Sequence, residues 1–241
     1  MKFLSENNLI VPAVNTKQMK EIDRIAIEEN GPNLFQMMEN AGRNLAELIM
    51  QVIGKNTSQK ILVLAGKGGN GGGGICAARH LINHGYDVTV CSSNVSNMTE
   101  VAAYQLHILK TTKAKIISVN ELSNENPDII IDAIIGYSLH GQPNGESLEQ
   151  IKWANNQLCI KISLDVPSGI DATTGMKSKN YIKPDLTLTL ALPKTGLLQE
   201  LTGELYLGDI GITQATIQKV IPEFDSIDFR NKYLVKLSVS N

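Results

Sequence analysis

The residues of this sequence best suited to catalysis or cation binding carry oxygen in their side chains and lie within or just after apolar runs. Asp132 interrupts an apolar run, where a carboxylate is costly to bury unless it meets a partner or a ligand. Asp165 and Ser168 share a tight turn, Asp-Val-Pro-Ser-Gly, after another apolar run, and both are expected to project into the same cleft. Lys194 follows a third run as either a surface charge or a phosphate contact. With Asn70, the side chains of Asp132 and Ser168 offer oxygen ligands, which predicts a site for a hard cation.

A glycine-rich stretch, residues 66–74, lies between a short apolar run and a helical pattern over residues 75–82. A strand, a glycine turn and a helix start present backbone N–H groups and the positive end of the helix dipole to an anion. The glycine spacing fits the dinucleotide fingerprint, but no carboxylate ends the next predicted strand, residues 87–91. A P-loop does not fit either, because Lys67 stands at the start of the stretch and not at its end. A phosphate or ribose at the helix start is predicted, with a turn that binds nothing as the alternative.

Cysteine and histidine show no pattern of a disulfide framework or a metal site. Cys76, Cys91 and Cys159 are odd in number and widely spaced, which predicts reduced thiols. The histidines, His80 among them, lack metal-binding spacing and are expected on helix surfaces or at helix ends. Glu39 is likewise expected to be a surface residue of its helix.

Composition excludes several classes of protein. The chain has 241 residues, of which 42% are apolar and 19% charged, and its net charge is −2. These values are ordinary for one globular domain and indicate neither a nucleic-acid surface nor an anionic membrane as partner. Residues 1–14 hold no apolar stretch that would form a signal peptide, and no window approaches a membrane span. We therefore expect a cytoplasmic protein.

Alternating strands and helices must position these side chains. Asn15 is expected to cap a first helix, and Gly31-Pro32 separates it from a second helix over residues 34–53. From Lys60 onward, continuous β-branched runs alternate with helical patterns, which predicts a mostly parallel sheet with helices on both faces. The chain is expected to be a single domain, residues 1–241, preceded by a helical N-terminal extension. The further strands are predicted over residues 115–119, 128–135, 159–164, 186–191 and 204–207, and the further helices over residues 98–111 and 147–156.

An ordered set of short motifs resembles the NAD(P)H-hydrate epimerase family, also called the YjeF N-terminal domain family. The resemblance covers about residues 15–221 and leaves the C-terminal segment, residues 222–241, without an assigned role beyond an added edge strand. Its motifs are Met-Met-Glu-Asn-Ala-Gly, the glycine stretch, Ala-Arg-His-Leu, Asp-Ala-Ile-Ile-Gly, Asp-Val-Pro-Ser-Gly-Ile-Asp and Pro-Lys-Thr-Gly.

The resemblance implies a fold, an activity and a site. The fold is an α/β, Rossmann-like three-layer α/β/α sandwich with a mostly parallel central sheet and N-terminal helices, in a homodimer. The activity is interconversion of the R and S forms of NADHX and NADPHX, and a separate NAD(P)H-hydrate dehydratase is the expected functional partner. A potassium ion, K⁺, is implied at Asn70, Asp132 and Ser168. Substrate contacts are implied at Gly69, Asn70, Gly71, Gly72, Gly73, Gly136, Tyr137, Ser138, Leu139, His140, Gly141, Gln142 and Asp165.

Asp165 is the candidate catalytic residue, because inverting a hydroxyl-bearing carbon beside a ring nitrogen needs a proton donor and acceptor nearby. The inversion can proceed by loss and return of the hydroxyl or by ring opening. The chain departs from the family at Lys67, Gly69 and Gly73, where the family has proline, asparagine and aspartate. These departures leave open a catalytically silent member of the same fold that acts as a nucleotide-binding or protein-interaction module.

Overall fold

A ten-stranded sheet organises the computed structural model, which describes residues 2–54 and 56–240. The strand order is β2-β1-β10-β9-β8-β7-β6-β3-β4-β5. Neighbouring strands from β9 across to β5 run parallel, whereas β10, β1 and β2 add antiparallel at one side. The strands are β1 (Lys2–Ser5), β2 (Ile10–Pro12), β3 (Lys60–Ala65), β4 (Asp87–Ser92), β5 (Lys115–Ile117), β6 (Ile129–Ala133), β7 (Ile160–Leu164), β8 (Leu186–Leu190), β9 (Glu204–Gly208) and β10 (Leu234–Ser240).

Helices connect the parallel strands, so the predicted α/β class with a mostly parallel sheet is confirmed. The α-helices are α1 (Thr16–Ile25), α2 (Leu34–Ile53), α3 (Gly69–Asn83), α4 (Glu100–Leu109), α5 (Gly145–Asn155), α6 (Gln199–Thr202) and α7 (Gln214–Gln218). A π-helical turn, Ala26–Asn30, extends α1, and short 3₁₀ segments cover Val95–Asn97 and Val119–Asn124. Among the described residues, no helix combines the length and the apolar character needed to span a bilayer.

Side-chain caps fix the starts of the first two helices. Asn15 Oδ1 accepts from Gln18 N at 2.9 Å, and the Gln18 side chain accepts from Asn15 N at 3.0 Å. Asn33 and Gln36 form the same reciprocal pair at the start of α2. Such capping boxes satisfy backbone donors that the first turn leaves free, which places both helix starts where the sequence predicts them.

The chain ends differ from the prediction. Residues 2–5 and 10–12 form β1 and β2, two strands that the sequence pattern did not predict, whereas the predicted N-terminal helices are present as α1 and α2. The C-terminal segment does form a strand, β10, but it lies inside the sheet between β1 and β9, not at its edge. Both ends of the chain therefore meet in the sheet, through pairing between residues more than two hundred positions apart, such as Phe3 with Val239.

Helix α3 begins at Gly69, several residues before the predicted start at residue 75. Most of the glycine stretch is therefore helical, and close packing explains why. A Cβ on Gly71 would lie 1.8 Å from the carbonyl oxygen of Gly66, and a Cβ on Gly66 would lie 1.9 Å from that of Ile134. These contacts hold the start of α3 against the ends of β3 and β6, where only glycine fits.

Candidate active site

The candidate site lies at the carboxyl ends of adjacent parallel strands, where open α/β sheets bind their ligands. Asp132 belongs to the end of β6, and Asp165 comes directly after β7. Lys194 follows β8, and Asn70 lies in the first turn of α3, after β3. Because β3, β6, β7 and β8 are neighbours in the sheet, residues far apart in the chain meet at one edge.

Asp132 and Ser168 form a fully buried network below this edge. Ser168 Oγ donates to Asp132 Oδ1 at 2.5 Å, while Ser168 N and Ser163 Oγ donate to Oδ2 at 2.9 and 2.7 Å. Burial raises the pKa of Asp132, and the hydrogen bonds from both serines oppose this shift. Ser168 is itself buried and hydrogen-bonds Ile135 N, so the expectation that it shares an open cleft with Asp165 is wrong.

Of the three residues predicted to bind a cation, Asp132 and Ser168 are in contact, and Asn70 is not hydrogen-bonded to either of them in the described part of the chain. The Asn70 side chain abuts Gly136: a Cβ there would lie 3.1 Å from Asn70 Oδ1. Ser168 contacts Ile135 in the same segment. Asn70 Nδ2 is buried and has no hydrogen-bond partner within residues 2–54 and 56–240. Asp132 and Ser168 supply buried oxygen atoms of the kind that a hard cation such as K⁺ prefers, whereas the unpartnered atom of Asn70 is an amide N–H donor, so Asn70 would contribute only through Oδ1.

A cavity of about 310 Å³ opens beside these residues. One side is apolar, with Met19 and Ile27 from the first helical segment and Met37 from α2 among its lining. The predicted substrate contacts divide between those that line this cavity and those that do not. Lining it are Gly69, Asn70, Gly73, Gly136, Tyr137, Ser138 and Asp165. Outside it lie Gly71, Gly72, Leu139, His140, Gly141 and Gln142.

Asp165 is held in one orientation by a buried ion pair. Lys194 Nζ donates to Asp165 Oδ1, and also to Thr189 Oγ1 at 3.3 Å and Leu190 O at 2.9 Å. The two charged residues are 1% and 4% exposed. The backbone of Asp165 has φ of 67°, a left-handed conformation that non-glycine residues rarely adopt outside functional turns. Lys194 is therefore not the surface charge that the sequence offered as one alternative, and it lines the cavity.

Tyr137 joins Asp165 to a second carboxyl group that sequence reasoning missed. Tyr137 N donates to Asp165 Oδ2 at 3.0 Å, and the Tyr137 hydroxyl donates to Asp23 Oδ2 at 2.5 Å. Burial raises the pKa of Asp23 to about 6, although the hydrogen bond from Tyr137 opposes the shift. Burial and the nearby Asp23 charge raise the pKa of Tyr137 as well. Asp23 lies four residues after buried Met19, so an acid on the apolar stripe of α1 was the available signal.

A separate cluster on α2 and α3 joins Glu39 and His80, which lie where the sequence predicts them: the Glu39 side chain is 44% exposed, and His80 belongs to the last turn of α3. Glu39 accepts from Arg79 Nη2 at 2.5 Å and pairs with His80 Nε2 at 2.9 Å. Burial alone would raise the pKa of Glu39, but these partners outweigh it and hold the pKa at about 2. Arg79 Nη2 also lies 3.3 Å from Cys76 Sγ, so a guanidinium already supplies the positive charge that a metal would bring. Burial raises the pKa of the Cys76 thiol to about 12.

Comparison with known proteins shows which family and which named proteins this chain is similar to. A family model described as "YjeF-related protein N-terminus" matches residues 34–196. The chain is 47% identical over 242 residues to the NAD(P)H-hydrate epimerase of Dehalogenimonas lykanthroporepellens, covering 100% of this chain and 98% of that protein. It is 33% identical over 221 residues to the NAD(P)H-hydrate epimerase of Rhodopirellula baltica, covering 88% of this chain and 89% of that protein.

Two further similarities concern a longer protein and a solved structure. The bifunctional NAD(P)H-hydrate repair enzyme Nnr of Hyperthermus butylicus is 34% identical, and 81% of this chain matches 38% of that protein. The crystal structure of yeast ynu0 matches with a TM-score of 0.81 at 27% identity, covering 94% of this chain and all of that one. The sequence similarity and the fold therefore point to the same group of proteins.

Proposed function

The chain belongs to the family of the YjeF-related protein N-terminus, and from this premise we propose that it is an NAD(P)H-hydrate epimerase in which Asp165 carries the acid–base chemistry. The enzyme is an isomerase that interconverts the R and S forms of NADHX and NADPHX. The observation that carries the assignment to Asp165 is its place in the cavity, oriented by Lys194 and by Tyr137 N.

The cavity suits a damaged nicotinamide ring. Its apolar side can cover the ring, while Asp165 offers a carboxylate to the carbon that bears the hydroxyl. Inversion by either loss and return of the hydroxyl or ring opening requires a group that gives and takes a proton, and a positioned carboxyl group contributes about 10²- to 10⁴-fold. Lys194 forms a buried ion pair with Asp165, which restricts rotation of the carboxylate.

We propose that the rest of the dinucleotide follows the start of α3. The capping residue of α3 is Gly68, which has no side chain to cap the helix. The backbone N–H groups of the first turn therefore have no capping side chain that would compete with a ligand. Those groups and the positive end of the helix dipole favour a phosphate. Because α3 starts at Gly69, we place this contact at residues 68–71 and not at the later positions that the sequence pattern indicated.

We also propose a K⁺ site made by Asn70, Asp132 and Ser168. A bound K⁺ would supply fixed positive charge that balances the buried Asp132 carboxylate and attracts the anionic substrate. Without it, the negative charge of Asp132 is met only by hydrogen bonds within the described residues. The oxygen donors would come from three elements, with Asp132 at the end of β6, Ser168 in the turn after β7 and Asn70 in the first turn of α3.

The assay follows conversion of R-NADPHX to the S form by chromatography, with K⁺ or Na⁺ at equal ionic strength. We expect the protein to exceed the spontaneous rate, K⁺ to raise it further, and Asp165→Asn to lower it at least about 100-fold. The matched control is Asp225→Asn, an exposed aspartate outside the cavity, which should leave the rate unchanged. A wild-type rate equal to the spontaneous one would refute the epimerase assignment.

The oligomeric state, the cellular location and the functional partner of the protein are also proposals. We propose that the protein is a homodimer in the cytoplasm. We also propose that it works with a separate NAD(P)H-hydrate dehydratase, and the bifunctional repair enzymes among the relatives support this partnership alone. Light scattering after gel filtration tests the dimer, for which a single-chain mass would be the contrary result. Coupled restoration of NADPH from R-NADPHX by this protein and a dehydratase tests the functional partnership.

A further inference from the structure

Two carboxyl groups lie in the same cavity, one from α1 and one from the turn after β7. Asp23 and Asp165 both line it, and Tyr137 is bonded to each: its hydroxyl to Asp23 Oδ2 at 2.5 Å and its backbone nitrogen to Asp165 Oδ2 at 3.0 Å. The two acids are therefore held at opposite ends of one tyrosine residue. The mechanism proposed above uses only Asp165.

The surroundings of the two carboxyl groups are different. Asp165 has the buried ammonium group of Lys194 as its partner, whereas Asp23 has no ion pair within residues 2–54 and 56–240. Burial among apolar side chains raises the pKa of Asp23 to about 6; the hydrogen bond from Tyr137 and the charge of Lys194 lower it, and the charge of Asp165 raises it. One carboxyl group with a buried cationic partner and one without are two acids in different surroundings, which is the arrangement that acid–base catalysis uses.

The elements packed around Asp23 bring no other charge toward it. On its own helix, Arg24 is paired with Glu21, Glu28 and Glu29 at the surface. The cavity residues that α2 contributes are apolar, and α7 contains no charged residue. The charged and titratable groups that face Asp23 are therefore Tyr137, Lys194 and Asp165 alone in the described part of the chain.

We propose that Asp23 is a second catalytic residue of this site, which gives its proton to one side of the reacting carbon while Asp165 takes a proton on the other. The inference rests on the proposed epimerase function and goes beyond it by naming the acid. Tyr137 is a positioning residue, which orients the Asp23 carboxyl group and adjusts how readily it holds its proton.

The step balances for loss and return of the hydroxyl. Asp23 donates its proton to the hydroxyl oxygen, the carbon–oxygen bond breaks, and the lone pair of the ring nitrogen forms a carbon–nitrogen double bond as water departs. A water molecule then adds to the opposite face, the electron pair returns to nitrogen, and Asp165 accepts the proton that this water loses. Proton exchange with solvent restores the starting state of both carboxyl groups.

The test is the pH dependence of kcat/KM for R-NADPHX, with the spontaneous rate subtracted at each pH. For the wild-type protein we expect the rate to fall about tenfold per pH unit above about pH 6, as Asp23 loses its proton. Asp23→Asn should lose at least about 100-fold, and Glu21→Gln, an exposed acid on the same helix, should change nothing. Tyr137→Phe removes a hydrogen bond that lowers the Asp23 pKa, so its descending limb should move to higher pH.

The outcomes separate this inference from the function on which it rests. A wild-type protein without activity overturns both. An active wild-type protein with Asp23→Asn within threefold of it, and with the same descending limb, overturns the role of Asp23 alone. If Asp23→Asn does not fold, the limb of Tyr137→Phe decides: a shift to higher pH supports the role, and an unmoved limb overturns it.

Discussion

Replacing Lys194 by methionine should be among the most damaging single changes in this protein. Lys194 is 1% exposed and its ammonium group donates to Asp165, to Thr189 Oγ1 and to Leu190 O. Methionine fills similar space but leaves the buried Asp165 carboxylate without its counter-charge. Removing one partner of a buried ion pair costs about 3–5 kcal/mol, because the remaining charge stays desolvated.

Urea unfolding at pH 7, followed by circular dichroism, measures that cost. We expect Lys194→Met to lower the free energy of unfolding by about 3–5 kcal/mol and to abolish epimerisation with it. The double variant Lys194→Met/Asp165→Asn should recover most of the lost stability, because no charge then remains unpaired, but none of the activity. The matched control is Lys219→Met, whose pair with Glu29 is exposed and should contribute nothing measurable.

Two outcomes would contradict the stabilising role of the Lys194–Asp165 ion pair. If Lys194→Met unfolds at the same urea concentration as the wild-type protein, the ion pair does not hold the site together. If the double variant is as unstable as the single one, the cost comes from lost packing of the lysine side chain and not from the uncompensated charge.

Three further changes test other parts of the structure. Gly71→Ala should unfold the start of α3, because the new Cβ would lie 1.8 Å from Gly66 O, and the effect should be a large fall in Tm or in soluble yield. The control Gly72→Ala should be tolerated, because its Cβ would lie 3.4 Å from the nearest atom. The wild-type protein should lose stability as the pH falls from about 4.5 towards 2, where Glu39 gains a proton and loses its partners on α3, and Glu39→Gln should flatten that part of a Tm–pH curve. Ser168→Ala should raise the K⁺ concentration needed for half-maximal activity at least about tenfold, and an unchanged requirement would place the ion elsewhere.

Much of the parallel sheet could be predicted from local pattern. The runs around Asp132 and before Asp165 are continuous, apolar and rich in β-branched residues, and such runs have few alternatives to buried strands. Because Asp132 and Asp165 stand near the ends of these runs, the same pattern also indicates that both lie toward the carboxyl ends of their strands. The strands at the chain ends could not be predicted in this way, because β1 and β10 acquire their partners only through pairing across the whole chain.

Other features failed prediction for identifiable physical reasons. Glycine has a low helix propensity, so the pattern predicted a late start for α3, whereas close packing of Gly71 on Gly66 made a helix the better solution. Burial of Lys194 was also hidden, because lysine is ordinarily exposed and its partner lies in a different loop. Asp23 carried a weak signal, an acid on an apolar stripe, whose meaning needs the position of Tyr137.

The substitutions at Gly69 and Gly73 should affect binding more than turnover. The proposed acid–base groups, Asp165 and Asp23, are supplied by the turn after β7 and by α1, and the hydrogen bonds that orient them come from Lys194 and Tyr137, not from a side chain of α3. A Cβ on Gly73 would lie 2.8 Å from Leu164 Cδ2, so Gly73→Asp must displace that leucine and should lower stability.

Gly69 is the informative position, because the nearest atom to a Cβ there is Met38 Sδ at 3.7 Å, which leaves room for a side chain. Restoring the family's residue with Gly69→Asn adds a polar group at the cavity wall without forcing its neighbours apart. We expect a lower KM for R-NADPHX with an unchanged kcat, since a contact made equally in ground and transition states alters binding alone. The control is Gly69→Ala, which should leave KM at the wild-type value. A rise in kcat in Gly69→Asn would mean instead that the glycine stretch takes part in the chemistry, and that the wild-type chain has lost part of its catalytic machinery.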